Sequence, residues 1–458
     1  MKNRLLMLMP VALAALLSSC QTYRPLDFEP DKLFEEVNRG RARPLSEAKT
    51  LQFSDAAATM DENNPSLAVV KKEYEGARKV ADIKTPWPNP SIEFGPTFGT
   101  KLDDSASSAA QPFVALGVSI PLGPRLIRNN ELNEITAIQA YNKVVVRHRD
   151  LYFRLRRAFT RYAASTRVLN AHHAVAESFA KTRSSTKRLV ELGSISSLGL
   201  SEADLQAAEI RVVRLKLQAE NESSATMLGR LMAIDTEEVR GLVPAALPNW
   251  PIIPELEQLK RLLLVNNGAL SDIEMEFKVS DAELRLELAR QYPDLSIGVD
   301  VEDEVGESKR SFGVPLGIDL PVFDRNRQGI AAARNRRELQ LLSYRSELSG
   351  LLSDLEEEYT RLQFVERKLA LFEQEILPAA KKNTTAGQRA MKLGSIDVLR
   401  YLELVSQLRN LEIEYAELNG KRWDALISLE ELVGLPLVNL MPDELSPLKE
   451  SLNKLETE

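Results

Sequence analysis

Two stretches about 200 residues apart change physical character halfway along, and they leave few folds open. In Ser311–Gln328, Phe312, Val314, Leu316, Ile318, Leu320 and Val322 alternate with Ser311, Gly313, Pro315, Gly317 and Asp319. That period of two predicts a strand with one apolar face. At Pro321 the chain turns, and from about Arg325 to Leu393 the spacing is helical. Phe113–Arg128 repeats the event: Val114, Leu116, Val118 and Ile120 oppose Ala115, Gly117 and Ser119, and a helical run follows to Leu192. A strand feeds a very long helix twice.

Those helical runs set the scale. Residues 127–192 read as one helix of roughly 100 Å at 1.5 Å per residue. Leu151, Leu155, Ala158, Tyr162, Ser165, Leu169, His172, Ala176 and Phe179 recur at intervals of three and four, a stripe that requires a packed neighbour. A break at residues 193–197 precedes a return helix to Met232 with Leu205, Ala208, Val212, Leu215 and Ala219 in similar spacing. In the second half, residues 325–393 carry Leu348, Leu352, Leu355, Tyr359, Leu362, Val365, Leu369, Phe372 and Ile376. Residues 397–434 carry Leu404, Leu408, Leu411, Tyr415 and Leu418.

The halves are copies of one plan. Asn63-Asn64-Pro65-Ser66-Leu67 is echoed by Asn266-Asn267-Gly268-Ala269-Leu270, and Trp87-Pro88-Asn89-Pro90-Ser91-Ile92 by Tyr292-Pro293-Asp294-Leu295-Ser296-Ile297. Gly117-Val118-Ser119-Ile120-Pro121 is echoed by Gly317-Ile318-Asp319-Leu320-Pro321, and Leu192-Gly193-Ser194-Ile195 by Leu393-Gly394-Ser395-Ile396. Four echoes in order at nearly constant offset mark a duplication. The expected organisation is a first repeat over 51–240, with strands near 91–99 and 113–120. A proline-rich linker over 241–254, a second repeat over 255–435 with strands near 294–302 and 311–322, and a polar tail over 436–458 follow.

At the N-terminus, Lys2 and Arg4 precede about 13 mostly apolar residues, Leu5–Leu17, and then Ser18-Ser19-Cys20. The run is too short to span a bilayer as a helix, and it reads as a signal peptide over 1–19. Cys20 is the sole cysteine and stands where a lipoprotein signal places its lipidated residue; residues 20–50 read as a lipidated, extended segment. The net charge of −7 gives no reason to expect a nucleic-acid partner.

The strands carry the decisive constraint. Four segments of about nine residues, apolar on one face and small or acidic on the other, have the length of bilayer-crossing strands. An open four-stranded sheet in hydrocarbon would leave its edge groups unpaired. Three copies would close twelve strands into a barrel with a water-filled lumen, continued by a helical tube. The competing fold is an ordinary sheet packed on helices.

The whole mature chain resembles the TolC-like outer-membrane factors of tripartite efflux systems, through its duplicated plan, its Asn-Pro-x-Leu-like entries and the Gly394–Leu399 turn. Trp87–Phe94 and Leu320–Arg334 are most similar to the cobalt-zinc-cadmium resistance outer-membrane component. The resemblance implies a mainly α fold with a small transmembrane β part, a homotrimer, and export of solute, metal cations foremost. It also implies as partners a periplasmic adaptor, an inner-membrane RND-type pump and outer-membrane lipid. A drug or type I secretion channel, or a periplasmic scaffold lipoprotein without a pore, are the alternatives.

By the same resemblance, Leu192, Gly193, Ser194, Leu393, Gly394 and Ser395 would form adaptor-docking turns and Asp397 a periplasmic gate; the gate is weakened by Arg400 standing where a second aspartate is found in relatives. By alternation, Glu93, Asp300, Glu302 and Asp319 would face the lumen. Asp397 as a plain helix N-cap and the glycines as plain helix terminators are the structural alternatives. No HxxxH, CxxC or HExxH spacing, nucleophile-base constellation or phosphate loop is present, so no enzyme, resident metal or cofactor is expected.

Overall fold

The structure is a computed structural model that describes residues 23, 25–26, 28–40, 49–99, 109–193, 196–304 and 309–437. One unit, Met1–Pro44, contributes α1 (Pro30–Gly40), where an extended segment was expected. Pro30 suits the first helical position and lacks the donor that position leaves free, Asp31 lies in the first turn and Arg39 in the last, so both ends match the helix dipole.

The remaining unit runs β1 (Thr50–Leu51), α2 (Phe53–Asn63), α3 (Pro65–Asp82), β2 (Ser91–Gly99), β3 (Ala109–Pro121), α4 (Arg125–Glu191) and α5 (Ser197–Met232). It continues with α6 (Thr236–Arg240), β4 (Val243–Pro244), α7 (Leu256–Asn266), α8 (Gly268–Ala289), β5 (Asp294–Glu304), β6 (Lys309–Gly313) and β7 (Leu316–Ile318). A final hairpin consists of α9 (Arg327–Leu371), a π-helical turn (Phe372–Ile376), α10 (Leu377–Lys392) and α11 (Val398–Val433). Helix α4 packs along α5 and α11, and α11 also packs along α9 and α10, so the two hairpins lie side by side.

The duplication is visible in atoms. Asn64 caps α3, accepting from Leu67 N at 3.4 Å, while its amide donates to Leu231 O at 2.8 Å. Asn267 caps α8, accepting from Leu270 N at 3.1 Å, and donates to Leu432 O, also at 2.8 Å. Each repeat thus uses one asparagine both to start a helix and to satisfy a carbonyl near the end of its last long helix. A parallel pair, β1 with β4, ties the start of the first repeat to the linker.

The second sheet has the order β2-β3-β5, with β6 and β7 both paired antiparallel to β5. The strand expected over 311–322 is interrupted at Val314–Pro315 and ends at Ile318, because Pro315 has no N–H for the ladder; only its carbonyl pairs, with Gly298 N at 2.9 Å. Helix α9 begins at Arg327 after Asp324 accepts from Asn326 N at 2.8 Å in an Asx turn. β3 starts at Ala109, ahead of the strand expected near 113–120.

Two further expectations change. The last long helix before the tip turn is not uniform: Leu377 N reaches back to Phe372 O, a five-residue step, just ahead of Pro378. Pro378 supplies no N–H and its ring crowds a carbonyl of the preceding turn, and the π turn relieves that conflict. In α5, the expected stripe is not the one that packs. Ala203, Gln206, Ile210 and Leu217 are buried, whereas Leu205, Val212 and Leu215 on the opposite face are exposed. The helix carries two apolar faces, and its own chain covers one.

Candidate channel wall and helical tips

Register places the sheet residues in rows. Ile92, Leu116 and Val299 form one row, and Phe94, Val114, Val301 and Phe312 another. These side chains, with Leu316 and Leu320 further on, are exposed, and no described residue covers the apolar face. A sheet packed on helices would bury it, so the soluble-sheet alternative does not describe this molecule.

The opposite face is small and acidic apart from Phe113. Glu93, Ala115, Asp300 and Gly313 share one row, and Gly95, Phe113, Glu302 and Ser311 the next. The Asp300 carboxylate lies over Gly313, where a Cβ would come within 2.5 Å of Oδ1, so a side chain at 313 would displace it. Glu93, Asp300 and Glu302 form no ion pair among the described residues. Asp294, one strand end away, is instead neutralised by Arg125 at 3.1 Å. Asp319 lies one residue beyond β7, exposed and without a register position.

At the far end of the helices, Gly193 and Gly394 adopt φ of 68° and 74°, the left-handed conformation that ends a helix at no steric cost to glycine. Ser395 N reaches Ala390 O at 2.8 Å and Gly394 N reaches Met391 O at 3.0 Å, closing a Schellman-type turn. The leucines before them, Leu192 and Leu393, are 72% and 81% exposed, two large apolar side chains at equivalent tips. Asp397 caps α11, accepting from Arg400 N at 2.8 Å, and Arg400 pairs with Glu403 at 2.6 Å. Cys20 and Ser194 lie outside the described residues.

Sequence reasoning missed the charged link between repeats. Arg156 in α4 forms a two-pronged pair with Glu430 in α11, Nε to Oε2 at 2.9 Å and Nη2 to Oε1 at 3.0 Å, both side chains buried. Leu437 N also donates to Glu430 Oε1, at 2.7 Å. The signal was a glutamate on the apolar stripe of Leu426–Val433 and an arginine inside Leu151–Phe159. His172 is buried, as its stripe position indicated, and burial together with neighbouring Arg409, His173 and Arg214 holds its pKa below the usual imidazole value. Among the described residues no helix is long and apolar enough to cross a membrane, and no group of three or more His, Cys, Asp or Glu could hold a metal ion.

A duplicated chain whose amphipathic sheet is uncovered and whose helical runs reach roughly 100 Å needs an apolar surrounding for the first and packed neighbours for the second. Residues 259–435 match the family described as Outer membrane efflux protein. The chain is 21% identical over 395 residues to the cobalt-zinc-cadmium resistance protein CzcC of Cupriavidus metallidurans, which covers 85% of this chain and 92% of that protein. Its fold is similar to a membrane protein from Pseudomonas aeruginosa, with a TM-score of 0.69 at 16% identity over 92% of this chain and 100% of the other. It is likewise similar to CusC, with a TM-score of 0.66 at 14% identity over 91% and 99% of the two chains. Over residues 259–435 the chain thus matches the outer-membrane efflux family, and its fold is that of the solved outer-membrane proteins it resembles.

Proposed function

We propose that three copies of this chain form the outer-membrane channel of a tripartite RND-type efflux system and that its cargo is heavy-metal cations. The observation that carries this reading is the sheet: its apolar face is bare, and the outer edges of β2 and of β6 and β7 have no partner among the described residues. In hydrocarbon each unpaired edge group costs several kcal/mol, and pairing β2 of one copy with β6 and β7 of the next removes both edges at once. The exposed second face of α5 supports the same closure in the helical region.

The lumenal assignments rest on that geometry, and the docking, gate and lipid assignments on the family resemblance and the signal motif. Glu93, Asp300 and Glu302 line the lumen, with Asp319 near one mouth. Leu192, Gly193, Ser194, Leu393, Gly394 and Ser395 dock the periplasmic adaptor, for which the exposed leucines offer apolar anchors. Asp397 narrows the periplasmic end as a threefold ring while still capping its helix, and Cys20 carries the lipid anchor. The metal cargo is supported by the name of the CzcC relative and by the acidic lumen.

Purified protein is expected to run as a trimer in native mass spectrometry and to conduct ions in a planar bilayer. A monomer without conductance would refute the channel. Deleting the gene should raise cellular zinc, cobalt or cadmium; unchanged metal with a conducting trimer would leave the channel and remove the metal cargo.

A further inference from the structure

The helical region holds a buried histidine that the export reading does not use. His172 in α4 is 4% exposed, and neither ring nitrogen has a hydrogen-bond partner among the described residues. Three helices meet around it. From α11 comes Arg409, 6% exposed, whose Nη2 reaches Ser406 Oγ at 3.1 Å and Glu209 Oε2 at 3.5 Å, while its Nε has no partner. From α5 come Arg214, whose buried Nε is likewise unpartnered, and Glu209, whose side chain is half exposed. His173 follows on α4. The charged groups acting on the imidazole are therefore two guanidiniums and a second histidine, and the carboxylate of Glu209 meets Arg409, not the ring.

We propose that His172 is an acid-sensitive release in the seam that joins the α4–α5 hairpin of the first repeat to α11 of the second. Neutral, the imidazole packs on the apolar stripe of α4. Protonated, it is a third cation beside Arg409 and Arg214, and a buried charge without its own partner must be hydrated or expelled. Either outcome admits water between α4, α5 and α11 and frees the first hairpin from the second. The position is fitted to this response because the histidine couples elements of both repeats, whereas the other buried histidine, His148, already has Asp61 at 2.7 Å.

The sign follows from linkage. Burial, then Arg409, His173 and Arg214, lower the folded-state pKa of His172 below its ordinary value of 6.5. The opened state binds more protons, so the closed seam is fully stable above about pH 6.5, weakens as pH falls from there to the folded pKa, and changes no further below it.

Hydrogen-deuterium exchange on the purified full chain reads this directly. After correction for intrinsic rates, peptides covering 168–179, 203–214 and 402–413 should exchange at least about threefold faster at about pH 5 than at about pH 7.5. The variant His172→Gln should abolish that difference, and His173→Gln should keep it. An equal acid response in His172→Gln, or none in the unaltered protein, overturns the proposal. If His172→Gln does not fold, Arg409→Gln decides: removing one guanidinium must move the midpoint of the response to higher pH, and an unmoved midpoint overturns it.

Discussion

The buried pair Arg156–Glu430 is a residue-scale bond between the repeats whose worth depends on how it is broken. Both charges are out of water, each prong is near 3 Å, and Glu430 also takes the Leu437 N–H. Removing one partner leaves the other as an uncompensated buried charge, so Arg156→Met should destabilise by about 3–5 kcal/mol in urea unfolding. Replacing both, Arg156→Met with Glu430→Leu, should recover most of that loss, because two apolar side chains of similar volume need no mutual charge. A double variant as unstable as the single one would mean that Glu430 acts chiefly by holding the chain at Leu437. The capping asparagines illustrate what was legible at this scale. Their echo, Asn64 and Asn267, stood out in the sequence, but their reach to Leu231 and Leu432 more than 160 residues away is tertiary and left no local pattern.

Among elements, the π turn at Phe372–Ile376 is the clearest departure from sequence periodicity, and it has a register consequence. The buried positions of the α9–α10 helix run Leu355, Leu362, Leu369 and Phe372, and then step five residues to Leu377 instead of four to Ile376. One residue is therefore surplus to the helix, inserted where Pro378 denies a hydrogen bond. Deleting the exposed Gln374 together with Pro378→Ala should convert the π turn to α-helix while keeping Leu377 on its face, and should leave the thermal midpoint nearly unchanged. Deleting exposed Gln363, in regular α-helix, would rotate Leu369 and Phe372 off the seam and should lose about 2–5 kcal/mol per displaced side chain. Equal loss from both deletions would show that the π turn is not a spare residue. The long helices were readable because a stripe of three and four spacing over nearly thirty residues in each half has no other explanation, and the strands because alternation ran unbroken. The two faces of α5 were harder: Leu205, Val212 and Leu215 are more apolar than Ala203 and Gln206, so hydrophobicity favoured the face that the single chain leaves open. Likewise the break at Pro315 kept its alternation intact, since a missing donor disturbs the ladder without moving side chains to the other face.

For the whole molecule, the proposed trimer turns a modest charge pattern into a strong field. In one sheet, Glu93 and Asp300 flank Ala115 in a single row, and Glu302 sits one row further along the lumenal face. Threefold closure repeats that set around a narrow water-filled space with low-dielectric walls, where like charges reinforce one another and cations replace them as counterions. The channel is therefore expected to favour cations over anions at low salt. Asp300→Asn with Glu302→Gln should reduce the cation preference severalfold, read as a shift of reversal potential toward zero across a potassium chloride gradient in a planar bilayer. The effect should shrink as salt approaches about 1 M, where the Debye length falls to about 3 Å and the carboxylates act only on ions beside them. Neutralising the exposed Glu357 on α9 supplies the control, because a general loss of negative charge would shift both variants alike. A reversal potential unchanged by the Asp300 and Glu302 substitutions would mean that these carboxylates do not line the conducting path. The trimer would then have to close with the other face inward, which would put Phe94, Val114, Val301 and Phe312 in water and the acidic rows in lipid, at a depth-dependent cost of several kcal/mol per charge.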